Sequence, residues 1–331
     1  MDESLHALRQ PEPPPPARAS EETRHAPVMV AEVVAGLGVR AGGCYVDATV
    51  GDGGHTAAIW AASGRAGRLL GLDRDAQALQ QAAHRLGVDA KRCTWLAINF
   101  EGLEPAARAA GFNEVDGVLF DLGVRSEQLD RPERGFSFRH DGPLDMRMDR
   151  REARTAAEWV NESSPAELTT ILRRYGEERA AHRIVRAITR RRAQQPFTRT
   201  ADLAGVVAAA VGGRRGRIHP ATRTFMALRM AVNRELEAIE AGLEGALALV
   251  APGGRVAVLS YHSVEDRVVK RCFARHIGRE EALQGGGQRW AGTLPRVRRV
   301  TRKPQLPTPE EVEQNPRSRS AKLRIVERMP T

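Results

Sequence analysis

One stretch does most to limit what this chain can become: Val46-Asp47-Ala48-Thr49-Val50-Gly51-Asp52-Gly53-Gly54-His55-Thr56. A β-branched run ends in glycines, and a helix-forming stretch from Ala57 to Ala62 follows at once. Such a join lets a strand hand its backbone to a nucleotide-like ligand, because glycine tolerates positive φ and has no Cβ to block close approach. Charge then narrows the choice of ligand. Asp47 and Asp52 flank the turn, and Asp73 ends the next apolar run, Leu69-Leu70-Gly71-Leu72-Asp73. A pyrophosphate would be repelled by a carboxylate in its own cradle, whereas a cationic ligand would be held. The glycines also depart from the dinucleotide fingerprint, since Thr56 stands where a third glycine belongs after Gly51-x-Gly53. A cationic nucleoside such as S-adenosylmethionine suits this turn better than NAD.

The rest of the chain can be placed around that join. Residues 1–22 contain Pro11-Glu12-Pro13-Pro14-Pro15-Pro16 and read as a disordered or polyproline tail. Structure is expected from His25-Ala26-Pro27-Val28-Met29, with Pro27 opening a helix through about Leu37. Strands are expected at 44–50, 68–73, 92–97 and 115–121, with Ala- and Gln-rich helical stretches between them. That alternation implies a parallel, doubly wound sheet whose ligand sits at the carboxyl ends of the strands. Asp73, Asn99-Phe100 and Asp121 all fall at or just beyond such ends. The glycine turn should share their crevice. Residues 122–150 read as a loop, and 152–217 as helices without strands. Phe225, Leu228, Val232, Leu236, Ile239, Leu243, Leu247 and Val250 then recur at intervals of three and four, which predicts one long core helix with no chemistry of its own. Arg255–Ser260 resumes the sheet, a helix is expected over about 263–276, and runs near 296–301 and 322–328 supply the last strands.

Charge and cysteine usage bear on partners and compartment. The net charge of +10 points to a polyanion. Its distribution says more than its total: 173–217 holds 12 Arg against three acids (Glu177, Glu178, Asp202). Arg179, Arg183, Arg186 and Arg190 form a stripe at helical spacing, with Ile184, Val185 and Ile188 facing elsewhere. A second basic region, 287–328, carries 11 Lys/Arg against four acids. Cys44, Cys93 and Cys272 have no paired spacing, so neither a zinc nor a redox site is expected and a reducing cytoplasm is the natural compartment. No apolar run is long enough to span a bilayer.

Asp73 lies 20 residues beyond Gly53, where an acidic residue accepts hydrogen bonds from a ribose hydroxyl. A second constellation begins at Asp121 and runs through Arg125-Ser126-Glu127-Gln128, Arg134-Gly135-Phe136-Ser137-Phe138 and Asp141 to Met148. Residues after the fourth strand of such a sheet stand over the reactive end of the ligand. An aromatic exocyclic amine is a poor nucleophile because its lone pair is delocalised into the ring. Asp121 or Ser126, by accepting from N–H, would help to localise that pair and aim it at a methyl group. Phe136 and Phe138 either stack on a nucleobase or anchor their loop in the core. His262, in Ser260-Tyr261-His262-Ser263, either touches a target nucleotide or orders its own loop.

These blocks carry a family resemblance. His25-x-Pro27-Val28, the turn Gly51–Thr56, the 121–148 block, His219-Pro220-Ala221-Thr222-Arg223-Thr224-Phe225, Ser260–Arg267 and Asn315–Arg324 run in one order. Together they resemble the bacterial 16S rRNA (cytosine-N4)-methyltransferase family of the RsmH/MraW type. The resemblance implies a class I, Rossmann-like methyltransferase domain over 23–130 and 225–331, with an inserted all-helical substrate-recognition domain over 131–224. It also implies methyl transfer from S-adenosylmethionine, leaving S-adenosylhomocysteine, to N4 of a cytidine in small-subunit rRNA near the decoding centre. The cofactor contacts it implies are Gly53, Gly54, His55, Asp73, Phe100, Asp121 and Gln128. Arg125, Phe136, Phe138, Arg223 and His262 are the substrate-side candidates, and Arg125, where the family has serine, is either an added phosphate contact or a peripheral change. Two other readings compete: a methyltransferase acting on DNA or a protein, and a non-catalytic nucleic-acid-binding protein. DNA amino-methyltransferases place Pro-Pro-aromatic after the fourth strand, where this chain has Leu122-Gly123-Val124. A nucleic-acid-binding protein with a vestigial nucleotide fold would not need the full Gly53/Asp73/Asp121 set. The sequence does not fix the oligomeric state.

Overall fold

The structure is a computed structural model that describes residues 27–87, 92–213, 219–282, 288–291 and 294–330. The Pro-rich tail and His25 lie outside the described residues. Four strands alternate with helices in the first half: β1 (Cys44–Asp47), β2 (Arg68–Asp73), β3 (Cys93–Ala97) and β4 (Val115–Asp121). The helices are α1 (Val30–Leu37), α2 (Gly54–Ala62), α3 (Ala76–Leu86) and α4 (Leu103–Ala109), with a short α5 (Ser126–Asp130) after β4. After the helical region come β5 (Val250–Ser260), a small separate hairpin of β6 (Arg279–Ala282) and β7 (Gln288–Ala291), then β8 (Val297–Arg299) and β9 (Lys322–Arg328).

Seven strands form one sheet in the order β3-β2-β1-β4-β5-β9-β8. The pairs from β3 to β5 are parallel, whereas β9 runs antiparallel between β5 and β8. Parallel strands are covered on both faces, so they read as near-continuous apolar runs. Leu69, Leu70 and Leu72 of β2, and Val118, Leu119 and Phe120 of β4, are accordingly buried. The chain steps outward from β1 to β2 and β3, then returns to place β4 on the other side of β1. That reversal leaves a crevice at the carboxyl ends of β1 and β4, the position where doubly wound sheets bind their ligands.

Between β4 and β5 the described chain is helical: α6 (Ala156–Glu162), α7 (Pro165–Arg174), α8 (Ala181–Arg192), α9 (Thr200–Ala210), α10 (Thr222–Val232) and α11 (Glu235–Leu249). Capping boxes start two of them, Thr155 with Glu158 on α6 and Ser164 with Glu167 on α7. On α8, Ile184, Val185 and Ile188 are buried while Arg179 (just before the helix), Arg183, Arg186 and Arg190 stay exposed. Buried side chains run without interruption from the sheet (Val46, Leu70, Val118) into the helices (Leu168, Ile184, Phe225).

The single long helix expected over 225–250 is two helices. Every residue of its apolar stripe is buried, yet the backbone breaks at Asn233-Arg234, where Arg234 takes a left-handed φ of 49°. Asn233 holds the break open. Its amide donates to the carbonyls of Met146 and Arg229 (2.8 Å each), and its side-chain oxygen accepts from Met148 N–H at 2.7 Å. Arg74 adds a bond to the Asn233 carbonyl at 3.0 Å. Helix α12 (Ser263–Ile277) follows β5, and α13 (Pro309–Gln314) precedes β9.

Candidate active site

A cavity of about 460 Å³ lies at the crevice, lined by the glycine turn, the ends of β2 and β4, the 122–129 segment, residues of α10 and α11, and Tyr261, His262 and Glu265. The turn itself is built by tertiary contacts. Asp47 is fully buried, and its carboxylate accepts from Thr56 Oγ1 (2.6 Å) and Thr49 N–H (3.0 Å). It clamps β1 to α2 and does not line the cavity, which corrects its reading as a ligand-facing charge. Asp52 does line the cavity.

Gly53, expected as a cofactor contact, caps α2 with a left-handed φ of 76°, and it does not line the cavity either. A Cβ there would lie 2.9 Å from Ala82 Cβ on α3. Glycine is required at 53 by helix packing and by φ rather than by a ligand's approach. Gly54 lines the cavity, and its missing Cβ makes room for Pro27, which would lie 2.8 Å away.

Asp73 ends β2 with its carboxylate at the cavity. One oxygen accepts from Gly51 N–H and the other from Asp75 N–H, each at 2.9 Å, while burial pushes its pKa up. Asp73 thus ties the glycine turn to the start of α3 and keeps lone pairs for a ligand. Phe100 lines the cavity and packs edge-on against Phe120, with centroids 5.5 Å apart. Gln128 is buried at the cavity wall, its Oε1 accepting from Arg125 N–H at 3.2 Å.

At Asp121 three elements meet. Tyr261 donates its hydroxyl to Oδ1 at 2.7 Å, and His55 Nδ1 stands 3.4 Å from Oδ2. His55 Nε2 is 2.8 Å from the Val28 carbonyl. Burial opposes a charge on His55, but the hydrogen bond and charge of Asp121, with Asp47 nearby, outweigh it and raise its pKa to about 9. Both ring nitrogens of the protonated imidazole then have an acceptor. Burial and Asp121 hold the Tyr261 hydroxyl well above its ordinary range. His262 also lines the cavity. Burial, reinforced by the Arg229 charge, lowers its pKa to about 4, so it is neutral at physiological pH.

The helix break brings a further group to the cavity that periodicity reads as plain core. Arg229 and Glu235 are both buried and both line it. Nε and Nη2 of Arg229 each donate to one oxygen of Glu235 at 2.8 Å. Glu265, fully buried, spends Oε2 on the N–H groups of Tyr261 and His262 (3.0 and 3.1 Å), and its Oε1 lies 3.6 Å from Arg229 Nη2.

The substrate-side candidates divide between the cavity and its surroundings. Arg125, one candidate for a phosphate contact, is nearly buried at the cavity, pairing with Asp75 and standing 3.8 Å from Asp52. Phe136 is buried in the core, and Phe138 packs against His219 and Phe225 with centroids 4.6 and 4.8 Å away. Neither ring lines the cavity, so loop anchoring is the role their packing gives them. Arg223 is exposed at the start of α10, outside the lining. The side chain of Ser126 lies outside the described residues. Although no metal-ligand spacing is visible in the sequence, Glu244, Cys272 and His276 converge between α11 and α12, away from the cavity lining. There Arg275 already pairs with Glu244 at 3.0 Å.

Comparison with known proteins gives a consistent result. The MraW methylase family matches residues 22–329. Ribosomal RNA small subunit methyltransferase H of Symbiobacterium thermophilum is 48% identical over 304 residues, covering 91% of this chain and 96% of that protein. The protein of the same name from Geobacter sp. (strain M21) is 46% identical, covering 93% of this chain and 100% of that protein.

Proposed function

This chain belongs to the MraW methylase family, and from that premise we propose that it methylates the exocyclic N4 amine of a cytidine in 16S rRNA, near the decoding centre of the small ribosomal subunit, in the cytoplasm. Its methyl donor is S-adenosylmethionine. The residues at the cavity suit that group: Asp73 for the ribose hydroxyls, Phe100 as an apolar face for the adenine, Gln128 as a polar contact, and Asp52 and Asp121 for the positive end. Gly53 serves by fixing the turn that holds the donor, while Gly54 and His55 line the cavity itself. When bound, the donor supplies an electrophilic methyl on a sulfonium. No metal is needed for such a transfer.

One observation carries the reading. A single cavity is lined both by Asp73, Phe100 and Gln128 and by Asp121, Tyr261 and His262, so a cofactor and an extruded base can meet in it. Asp121 is fixed between the Tyr261 hydroxyl and the His55 imidazolium, which makes it an oriented acceptor for an amine N–H rather than a strong base. Accepting that bond draws the lone pair out of the ring and sets it in line with the methyl, which is catalysis mainly by alignment. Ser126 is the candidate for a second acceptor. Neutral His262 adds no positive charge beside a sulfonium. As the N–C bond forms and the S–C bond breaks, the amine sheds one proton, ultimately to water. The exposed arginines of α8 and the basic 287–328 region would hold the rRNA by its phosphates, with 131–224 acting as the recognition domain.

The test is incubation with labelled cofactor and, separately, unmethylated small subunits, free 16S rRNA and DNA, followed by nucleoside analysis. Label is expected in rRNA as N4-methylcytidine. Label in DNA alone would overturn the substrate, and calorimetry showing no cofactor binding would overturn the enzyme reading.

A further inference from the structure

The Arg229–Glu235 pair is an anomaly if it serves only the core. A buried ion pair is a poor source of stability, since apolar residues of similar volume are often as good or better. Here the chain also accepts a left-handed arginine to make the pair at all. In an unbroken helix, residues six apart differ by about 240° around the axis and face apart. The break at Asn233-Arg234 brings Glu235 back onto Arg229, and it is secured by Asn233, Arg74 and the 146–148 backbone. Strain held in place by so many bonds at a cavity wall points to function.

Resting on the cytidine reading above, we infer that the Arg229–Glu235 pair reads the Watson–Crick edge of the target base. Two-point pairing uses two of the five N–H donors of Arg229 and one lone pair on each Glu235 oxygen. What remains is a carboxylate acceptor beside a guanidinium donor. Cytosine presents the complement, an N4 amine donor next to the N3 acceptor. Uracil presents the reverse order, O4 acceptor then N3–H donor, and would set oxygen against oxygen. A glutamate that accepts from cytosine N4 is an established form of base recognition. It also leaves the second N–H of the amine for Asp121. Glu265 is the positioning residue: its Oε2 is spent on the α12 backbone, and its Oε1 faces Arg229 at 3.6 Å, which limits rotation of the guanidinium. His262, kept uncharged by burial and the Arg229 charge, also lines the cavity.

The decisive variant is Arg229→Met/Glu235→Leu in the full chain, because an apolar pair of similar volume preserves packing and removes only the reading edge. Cofactor affinity by calorimetry is expected within about threefold of wild type, with methyl transfer to unmethylated small subunits reduced at least about 100-fold. In binding assays, wild type should favour an oligonucleotide bearing the target cytidine over its uridine twin by about tenfold or more, a typical worth for one base-specific contact, and the variant should not discriminate. Transfer within about threefold of wild type by the double variant would show the pair to be structural and overturn the inference. If wild type binds cofactor yet transfers nothing to rRNA, the substrate reading fails and this one with it. Should the double variant lose cofactor binding, Glu235→Gln decides. Its amide offers a donor to the base, so the cytidine preference should vanish or reverse, and an unchanged preference would overturn the assignment.

Discussion

Asp73 concentrates two jobs in one side chain, since it holds the glycine turn through Gly51 N–H and is the candidate ribose acceptor. Asp73→Ala is therefore expected to raise the dissociation constant for S-adenosylmethionine by roughly 10- to 100-fold by calorimetry, the loss of one or two charged hydrogen bonds. Asp73→Asn, which keeps one acceptor oxygen, should fall in between. His55 gives a pH signature. Its folded pKa of about 9 lies above the unfolded value near 6.5, so its contribution is complete below about pH 6.5 and is lost as pH rises through 9. Urea midpoints should decline across that window, and His55→Gln should flatten the decline. Single residues were unevenly legible in the sequence. The place of Asp73 at the crevice was readable because strand, turn and acid keep a fixed spacing along the chain. Asp47, Phe136 and Arg125 were not. Their roles depend on which way a side chain points and which distant partner it meets, and neither composition nor local spacing encodes that.

Among elements, most strands of the large sheet could be placed, because a parallel sheet demands short apolar runs; β5 begins five residues earlier than expected, at Val250, and the β6–β7 hairpin, polar and outside that sheet, gave no such run. The break between α10 and α11 was hidden for a physical reason. Val232 and Leu236 keep helical spacing across it, and the left-handed residue is an arginine where a glycine would have signalled a stop. What fixes the break is Asn233, reaching a loop some 85 residues earlier in sequence. Asn233→Ala should cost about 2–4 kcal/mol in chemical denaturation, since it leaves the Met148 N–H and the Met146 carbonyl without their partner, while the Arg229 carbonyl keeps the backbone N–H of residue 233. Methyl transfer should fall more steeply than cofactor affinity, because Glu235 loses its placement first.

For the whole molecule, charge was legible only as a tendency. The arginine stripe of α8 is exposed as its spacing implied, while other arginines are spent internally, as Arg125 is on Asp75 and Arg229 on Glu235. Replacing Arg183, Arg186 and Arg190 by Gln together should leave cofactor binding unchanged. It should weaken binding to rRNA and lower the slope of log affinity against log salt by about 2–3, roughly 0.7–0.9 for each phosphate that is no longer neutralised.

The place of β9 has a consequence for how the protein comes into being. Residues 322–328 form the next-to-last strand of the sheet, between β5 and β8, with Leu323, Ile325 and Val326 buried. During synthesis β5 is complete some 60 residues before the strand that covers its edge exists. Nor does β8 fill the gap, for among the described residues it pairs in the sheet with β9 alone. A nascent chain therefore carries an open, apolar strand edge through a long stretch of translation, the kind of edge on which chains aggregate. A protein that acts on ribosomal RNA is thus most vulnerable while it is itself still threaded through a ribosome.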